Sequence, residues 1–577
     1  MSVVVDRRGF VAACAAIGLP LDFSHRLWTE AAPGKAGAKA VALDPITTEQ
    51  IAAAEQVLGL SWRDKDREMM LADLQRSLGT YAALHAIPLP NAVPPAFHFD
   101  PVPIGKLPAP QPRSTAKPRQ PAAAKRPATE VDWAFAGVAT LSGLIRSGEV
   151  SSRQLVERSL ARIDRYNPEL LCVITPTKER ALEQADRMDA EAKHKKFRGP
   201  LHGIPYGVKD LFAVPNYPTT WGSPIYRDRM LEVTAAVVEK LDAAGAVLVA
   251  KTSLGEFAQD DTWFGGQTKN PWNTARGSSG SSAGSASGVS AGLYPFAIGT
   301  ETQGSIVSPS RVCGVSGLRP TYGRVSRYGA MALSWTMDKV GPIARSAEDL
   351  ALVFAAMHGA DPRDPSTRSL PFEFDPGLPL SRLRIGVQTS LTQMNPRPNA
   401  TPEQVANAQA TIAANQAVID ALGKQGAKLV PVTWPTDPSG NTLQFLLSVE
   451  AAAAFDAITR DNTVDQMVIQ DAWPNTFRSA HFVSAVDYVQ ANRARTLLIQ
   501  KLDDFFKDID VVIGGGSLAA TNLSGHPQVV VPTSVSETGN LAISFVAALY
   551  REDLALRLAH AWQAASDVHL KRPPKFS

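Results

Sequence analysis

The sequence predicts an α/β fold, because segments with helical spacing of apolar residues alternate with short apolar strands. A helix predicted over 234–244 precedes a strand over 247–250. The same order recurs with a helix over 402–422 and a strand over 429–432, and a further strand is predicted over 509–513. Elements that alternate in this way build a sheet that is covered by helices.

Two different segments precede this α/β region: a short helical segment over 41–86 and a proline-rich linker over 87–130. Thr47 and Gln50 have the spacing of a capping box, and two groups of apolar residues at helical spacing follow, which predicts two helices. Twelve prolines between residues 88 and 127 interrupt regular structure and favour an extended connector.

The composition is that of an ordinary globular protein: 577 residues, 44% of them hydrophobic and 20% charged. The net charge of +3 gives no reason to expect a nucleic-acid partner, and the basic residues between 105 and 127 favour a solvated linker. Neither metal-ligand spacing nor a phosphate-binding glycine loop occurs, so no cofactor is predicted. Cys172 and Cys313 lie in contexts typical of buried thiols, and no disulfide is predicted.

Residues 1–40 resemble a twin-arginine export signal. Arg7 and Arg8 are followed by Phe10 and by a short, weakly apolar stretch. That stretch is too short for a membrane span, which needs roughly 20 apolar residues, so no stable membrane anchor is predicted. Small residues over 36–40 offer cleavage sites. We therefore expect a periplasmic or secreted protein.

The most informative segment is a Ser/Gly-rich run from Gly277 to Arg319, which contains a candidate nucleophile. Ser305 follows a glycine in a turn of small residues, where the backbone can approach a substrate carbonyl closely. The backbone N–H groups of Thr302, Gln303, Gly304 and Ser305 are predicted to converge there as an oxyanion hole.

A candidate base lies upstream of this run. Lys209 ends an apolar, strand-like run and is flanked by Val208, Leu211 and Phe212. Burial among apolar side chains disfavours the charged ammonium and lowers its pKa. A lysine that is neutral at working pH can accept the proton of a serine hydroxyl.

These residues lie in motifs that resemble the amidase signature family of serine hydrolases. The resemblance runs from about residue 131 to the end of the chain and includes KTSLGEFA (251–258), NPWN (270–273) and GLRPTYGRVSRYG (317–329). It implies a catalytic domain over 131–577, built on one large mixed sheet with helices on both faces. It also implies that Lys209 is the base, Ser281 a bridging serine preceded by a cis peptide bond, and Ser305 the nucleophile.

The sequence departs from the family pattern beside the candidate nucleophile. The usual run is GTDTGGSIR, and Glu301, Gln303 and Val307 replace its aspartate, middle glycine and arginine. Gln303 is therefore a candidate substrate-binding residue at the acyl pocket. Tyr206, Trp263 and Phe264 are core aromatics by default, and lining of the pocket is the alternative for which they are further candidates.

Two other serines match the G-x-S-x-G pattern of α/β-hydrolases: Ser282 and Ser290, with His481, His526 or His560 downstream. That motif requires a strand that leads into the serine. Residues 270–277 and 284–288 do not have the pattern of strands, which favours Ser305.

The resemblance implies an amidase that hydrolyses a linear carboxamide C–N bond of a small-molecule substrate through an acyl-enzyme. Three alternatives remain open: an ester or carbamate hydrolase that uses the same residues, an amidotransferase A-type subunit that hydrolyses glutamine, and a non-catalytic binding protein. The predicted export signal argues against the amidotransferase, whose partner chemistry is cytoplasmic. The sequence does not determine the oligomeric state.

Overall fold

A computed structural model describes residues 45–87, 125–393 and 400–577. The predicted export signal over 1–40 and most of the predicted linker lie outside the described residues. At the centre is an eleven-stranded mixed sheet, which confirms the predicted α/β class and the mixed sheet that the family resemblance implies.

The helices and strands have the following bounds. The α-helices within the described ranges are α1 (Thr48–Leu58), α2 (Asp64–His85), α3 (Glu130–Ala134), α4 (Val138–Ser147), α5 (Ser152–Leu170), α6 (Lys178–Lys193), α7 (Ala236–Ala243), α8 (Ala283–Ser290), α9 (Val307–Cys313), α10 (Ala347–Met357), α11 (Pro402–Lys424), α12 (Phe445–Ala454), α13 (Asp456–Arg460), α14 (Trp473–Ala480), α15 (Ala485–Phe505), α16 (Leu518–Ser524) and α17 (Glu552–Ala565). The strands of the central sheet are β1 (Val173–Pro176), β2 (Pro205–Lys209), β3 (Val247–Thr252), β8 (Phe296–Glu301), β9 (Ser316–Arg319), β10 (Lys339–Ala344), β11 (Ile385–Gln388), β12 (Leu429–Val432), β13 (Val511–Ile513), β14 (Gln528–Ser534) and β15 (Leu541–Ala547). Two small hairpins lie outside it, β4 (Thr262–Trp263) with β5 (Gly266–Gln267), and β6 (Lys269–Asn270) with β7 (Asn273–Gly277).

The strand order of the central sheet is β1-β3-β2-β8-β10-β9-β14-β15-β13-β11-β12. Strand β2 pairs in parallel with both β3 and β8, so the carboxyl ends of these three strands meet at one edge. Strands β13, β11 and β12 form a second parallel group. The strands between the two groups are antiparallel.

The helix starts confirm the capping signals in the sequence. The Thr47 hydroxyl accepts from the backbone N–H of Gln50, whose side chain accepts from the N–H of Thr47, and α1 begins at the next residue. Ser151 and Gln154 cap α5 in the same way. The predicted strand over 429–432 has those bounds, whereas the strand predicted over 247–250 extends to Thr252.

The core lies on both faces of the sheet. Phe296 and Ile298 of β8 pack into one apolar cluster, and Ala297 between them packs into another. Alternate residues of a strand point to opposite faces, so a strand that is buried on both faces carries apolar residues throughout. This burial fixes the register of β8 and therefore the position of the loop that follows it.

The predicted N-terminal helices form a pair that packs against the C-terminal half of the chain. Arg478, which is 1% exposed, donates to Asp465 at 2.9 Å and lies 3.4 Å from the Asp66 carboxylate of α2. Arg63 donates to the same Asp465 at 2.6 Å. An apolar cluster, in which Trp62 is buried, continues this contact.

Three further findings concern anchors, thiols and metals. None of the helices within the described ranges is long and apolar enough to cross a bilayer. Cys172 and Cys313 are buried and free. No cluster of three or more His, Cys, Asp or Glu side chains suited to a metal ion occurs in the described part of the chain.

Candidate active site

The site lies where β2 and β8 end side by side. Lys209 is the last residue of β2, and its side chain is fully buried. Its Nζ donates to Ser281 Oγ at 2.8 Å and to Thr300 Oγ1, near the end of β8, at 2.9 Å. A third contact, to Ser282 Oγ, measures 3.2 Å. The structure therefore brings the predicted base and the predicted bridging serine into direct contact.

The turn that carries Ser281 has an unusual backbone. Ser279 has a left-handed φ of 58°, and the peptide bond between Gly280 and Ser281 is cis. The N–H of Ser279 donates to Asp261 Oδ2 at 2.8 Å. A Cβ at position 280 would lie 1.7 Å from the carbonyl oxygen of Asp260, so only glycine fits there. The bond to Asp261 and the glycine at position 280 fix the path of this turn beside Lys209.

Burial changes the protonation of Lys209. Loss of hydration disfavours the ammonium and lowers the pKa of Lys209 to about 7, although the carboxylates of Asp338 and Glu301 act in the opposite direction. At neutral pH a substantial fraction of this amine is therefore unprotonated. An unprotonated amine in contact with a serine hydroxyl can accept its proton.

The loop over 302–305, which we call the oxyanion loop, follows β8 and contains the candidate nucleophile. The backbone N–H groups of Thr302, Gln303, Gly304 and Ser305 donate to no acceptor in the part of the chain that the structure describes. Gly304 adopts a left-handed φ of 91°, which favours glycine. Four successive unpartnered N–H groups form a region of positive potential that suits an oxyanion.

Contacts on both sides hold this loop in place. The N–H of Ser282 donates to the carbonyl oxygen of Ser305 at 3.1 Å, which joins the loop to the Ser281 turn. Ser305 is partly exposed, and its hydroxyl makes no hydrogen bond with the described residues, Ser281 included. The predicted nucleophile is therefore next to the Ser281 turn but not hydrogen-bonded to it.

Glu301 binds the residues that follow the oxyanion loop. Its Oε2 accepts the N–H groups of Ile306 and Val307, each at 2.9 Å. Its Oε1 accepts from Arg319 and Asn522, also at 2.9 Å each. Burial raises the pKa of this carboxyl, but Arg319 and the N–H donors outweigh that effect and hold it at about 2. Glu301, which replaces the aspartate of the family pattern, therefore remains ionised and joins the segment that follows the loop to Arg319 and Asn522.

Tyr206 is located in the core, away from Lys209. It is fully buried and stacks on Phe296 with 5.3 Å between ring centroids. Because side chains alternate along β2, Tyr206 and Lys209 point to opposite faces of the sheet. The structure therefore places Tyr206 in the core, which is the default interpretation of this residue from the sequence.

The remaining pocket candidates have mixed positions. Trp263 is buried, and its Nε1 donates to the carbonyl oxygen of Leu171 at 3.2 Å, while Phe264 lies under the Arg227 guanidinium. Neither ring is hydrogen-bonded or stacked with the residues around Lys209. Gln303 is half-buried, and its Oε1 is enclosed without a hydrogen-bond partner among the described residues.

The structure corrects one premise about the rival serines. Residues 273–277, which were predicted not to be a strand, form β7, although β7 belongs to a small hairpin outside the central sheet. The hydroxyl of Ser290 donates to the carbonyl oxygen of Cys313 at 2.6 Å, and that of Ser282 donates to the carbonyl oxygen of Thr300 at 3.1 Å. Both serines are buried, and neither is hydrogen-bonded to a histidine within the described ranges.

Sequence reasoning missed Thr300 and Asp338. Thr300 contacts Lys209 only because β2 and β8 are neighbours in the sheet, which the sequence does not state. Asp338 Oδ1 accepts the hydroxyl of Thr302 at 2.6 Å. Its position between a short loop and an apolar strand gave no signal that distinguishes it from a turn residue.

The chain belongs to the amidase signature family, since the family model described as Amidase matches residues 154–556. A glutamyl-tRNA(Gln) amidotransferase subunit of Chloroflexus aggregans is 32% identical over 480 residues, which cover 74% of this chain and 96% of that protein. Its counterpart in Thioalkalivibrio sulfidiphilus, which has the same name, is 32% identical over 493 residues, with 76% and 99% covered.

Solved structures agree with this assignment. The native peptide amidase from Stenotrophomonas maltophilia has a TM-score of 0.66 and 28% identity, covering 78% of this chain and 100% of that one. The protein is therefore an enzyme that acts on carbon–nitrogen bonds of amides.

Proposed function

We propose that the protein is a serine hydrolase that cleaves a linear carboxamide C–N bond through an acyl-enzyme on Ser305. The observation that carries this proposal is the contact between the buried Lys209 amine and Ser281, beside a loop whose four N–H groups have no acceptor among the described residues. A proton acceptor and a set of oxyanion donors on either side of one serine are what acyl transfer requires.

Acylation proceeds by proton relay. Lys209 Nζ accepts the proton of Ser281 Oγ as Ser281 Oγ accepts the proton of Ser305 Oγ. Ser305 Oγ bonds to the carbonyl carbon, and the carbonyl π electrons move onto oxygen, where the N–H groups of residues 302–305 stabilise them. The C–N bond then breaks, and the proton on Lys209 returns through Ser281 to the departing nitrogen. Substrate closes the gap between Ser281 and Ser305, since catalytic hydrogen bonds often tighten only in the complex.

Deacylation repeats the relay with water. A water molecule gives its proton to Ser281 as its oxygen attacks the acyl carbon, and the second collapse releases the acid and regenerates the Ser305 hydroxyl. An ester or a carbamate can enter the same cycle, because only the leaving group differs. Which acyl groups and amines the enzyme accepts therefore depends on the residues that line the site and not on the reaction mechanism.

A second candidate function rests on the relatives named above, which belong to amidotransferases. In that case the protein hydrolyses glutamine and passes ammonia to a partner. The two functions differ in what they need. An independent amidase turns over a panel of amides alone, whereas an amidotransferase component shows slow glutamine hydrolysis that a partner accelerates.

The test of the nucleophile is labelling with a serine-reactive fluorophosphonate, followed by mass spectrometry of the intact protein and of its peptides. We expect one label per chain, on Ser305. Ser305→Ala removes the hydroxyl and should abolish labelling, whereas Ser290→Ala removes a buried hydroxyl elsewhere and should not. Label on Ser282 or Ser290 would exclude the proposed nucleophile.

We also propose that the enzyme works outside the cytoplasm, on the strength of the paired arginines at 7 and 8 and the weakly apolar stretch that follows them. Fractionation of cells that make the full chain tests this. Replacing Arg7 and Arg8 with lysine should retain the protein in the cytoplasm. Equal distribution of both proteins would contradict the proposed export.

A further inference from the structure

Asp338 lies directly opposite the oxyanion loop. Lys339, the first residue of β10, pairs with Glu301, the last residue of β8, so Asp338 and Thr302 face each other just beyond the paired strands. Asp338 Oδ1 accepts the Thr302 hydroxyl at 2.6 Å. Thr302 is the first of the four residues whose N–H groups have no partner among the described residues.

The other oxygen of Asp338 fixes the carboxylate itself. Its Oδ2 accepts the N–H groups of Leu333 at 2.8 Å and of Ser334 at 3.0 Å. The N–H of Asp338 donates in turn to the carbonyl oxygen of Ser334 at 3.0 Å. A side chain bonded through both oxygens has little freedom to rotate, so it can define the position of Thr302.

The same carboxylate faces the base. Thr300, which accepts from Lys209 Nζ, and Thr302, which donates to Asp338, both line one small cavity together with Asp338. Thr302 lies just beyond the last residue of β8, and Thr300 lies within it. The amine and the carboxylate therefore each bond a threonine of the same cavity, without direct contact between them.

Two other charged groups line this cavity, Arg327 and Lys339. Arg327 pairs with Asp364, and Lys339 donates to the carbonyl oxygen of Met337. Nearby, Glu301 pairs with Arg319, and Arg495 and Glu450 both bond Thr336. Burial lowers the pKa of Lys339 well below its usual range. Asp338 forms no ion pair with the residues that the structure describes.

We propose, resting on the proposed function, that Asp338 is a positioning residue with two effects: through Thr302 it holds the first N–H of the oxyanion loop, and its charge stabilises the protonated form of Lys209 during the relay. The first effect acts on the geometry of the transition state. The second sets the pH at which the base is available. Burial raises the pKa of Asp338 itself. The Thr302 hydroxyl and the N–H groups of Leu333 and Ser334 act in the opposite direction, because they donate to the carboxylate.

The test compares Asp338→Asn with Thr302→Val and Asp349→Asn. Asp349 is a matched control: its buried carboxylate accepts the N–H of Ala139 in the first turn of α4, and its backbone N–H donates to Ser346 Oγ. The measurement is the rate of fluorophosphonate labelling of Ser305 against pH, with kcat and KM for one amide at the plateau. Labelling needs no knowledge of the natural substrate.

Asp338→Asn removes a negative charge near Lys209, so the acid limb of the profile should move to lower pH by about one unit. Thr302→Val should lower the plateau rate roughly tenfold without moving the acid limb of the profile, because it breaks the hydrogen bond to Asp338 and keeps the charge of Asp338. Asp349→Asn should lower thermal stability and leave the limb in place.

Superimposable profiles for wild type and Asp338→Asn would overturn the electrostatic effect, and an unchanged plateau rate in Thr302→Val would overturn the geometric one. If Asp338→Asn does not fold, Asp338→Glu replaces it. Because glutamate keeps the charge on a longer side chain, the acid limb of the pH profile should stay in place and the plateau rate should fall. A shifted acid limb would contradict the proposal. Wild type that is never labelled at Ser305 would instead refute the proposed function.

Discussion

The two sides of the candidate site differ in how many of their polar groups have hydrogen-bond partners. On the base side, Lys209 Nζ contacts three hydroxyls, and the lysine is fully buried. On the other side, residues 302–305 present four N–H groups with no acceptor among the described residues. Buried polar groups are ordinarily satisfied, so an unsatisfied run beside a satisfied cluster indicates where a ligand binds.

This difference indicates that the two sides of the site have different catalytic roles. The base side is preorganised by the sheet, since β2 and β8 are neighbouring strands with buried side chains on both faces. The oxyanion loop is held by Glu301 at its flank and by the bonds of the Ser305 carbonyl and the Thr302 hydroxyl, while its own N–H groups have no acceptor among the described residues. Changes on the base side should therefore alter proton transfer, and changes at the flanks should alter stabilisation of the oxyanion. Single substitutions on each side can separate the two roles.

The largest effect is expected for Ser305→Ala, which removes the nucleophile. We expect kcat to fall by about 10⁴-fold or more, because the remaining groups cannot form an acyl-enzyme. Single-turnover assays on an amide substrate measure it. Ser290→Ala, which removes a hydroxyl bonded to Cys313, should retain wild-type kcat, and a large loss there would show that the assay reports folding.

The next effect concerns Lys209, whose unprotonated form is the base. Since its pKa is lowered to about 7, kcat/KM should rise tenfold per pH unit below that value and level off above it. Lys209→Arg should lose roughly 10³-fold, because guanidinium stays protonated at every working pH. A pH-rate profile on both proteins decides this. A variant with near wild-type rates, or a limb near pH 10, would place the base elsewhere.

A smaller effect on rate is expected for Glu301→Gln, which keeps the shape and removes the charge that holds the loop. We expect kcat to fall roughly 10- to 100-fold, and unfolding in urea to show a loss of about 3–5 kcal/mol, because Arg319 is left buried without its partner. Glu552→Gln is the control, since Glu552 faces Arg324 in a second fully buried pair away from the site. Equal losses of kcat in the two variants would mean that Glu301 contributes stability alone.

The smallest effect on the best rate is expected for Gln303→Gly, which restores the residue of the family pattern. Its backbone N–H remains, whereas its side chain, whose enclosed Oε1 has no partner in the described part of the chain, is removed. A lost hydrogen bond to substrate costs on the order of 1 kcal/mol, and the space gained favours larger acyl groups. We therefore expect kcat/KM to be redistributed across a graded series of acyl amides. Parallel profiles for the two proteins would exclude Gln303 from selection.

Local patterns predicted much of this molecule. The capping boxes at Thr47 and Ser151 and the strand over 429–432 were correct, because propensity and capping act within a few residues. Lys209 and Ser281 were brought together by a motif resemblance, and the structure places them in contact. Whether Tyr206 packs in the core or lines the pocket could not be decided from the sequence, because the face on which a strand residue lies depends on its neighbours in the sheet.

What could not be predicted depends on long-range pairing. Thr300 and Asp338 belong to the site only because β2, β8 and β10 lie side by side in the sheet. The ion pair between Glu301 and Arg319 arises in the same way. Each of these contacts joins segments that are far apart along the chain and close in space. The spacing of residues in the sequence therefore does not predict them.

The sheet order also governs when this site can form during biosynthesis. Glu301 bonds Asn522, 221 residues later in the chain, and β9 needs β14 as its neighbour. At about 5–20 residues per second, a ribosome takes roughly 10–45 s to make the intervening residues. Throughout that interval the edge of β9 is open and the carboxylate of Glu301 lacks one of its donors. The site is thus incomplete, and the edge of β9 open to unwanted pairing, until the last strands of the chain have been made.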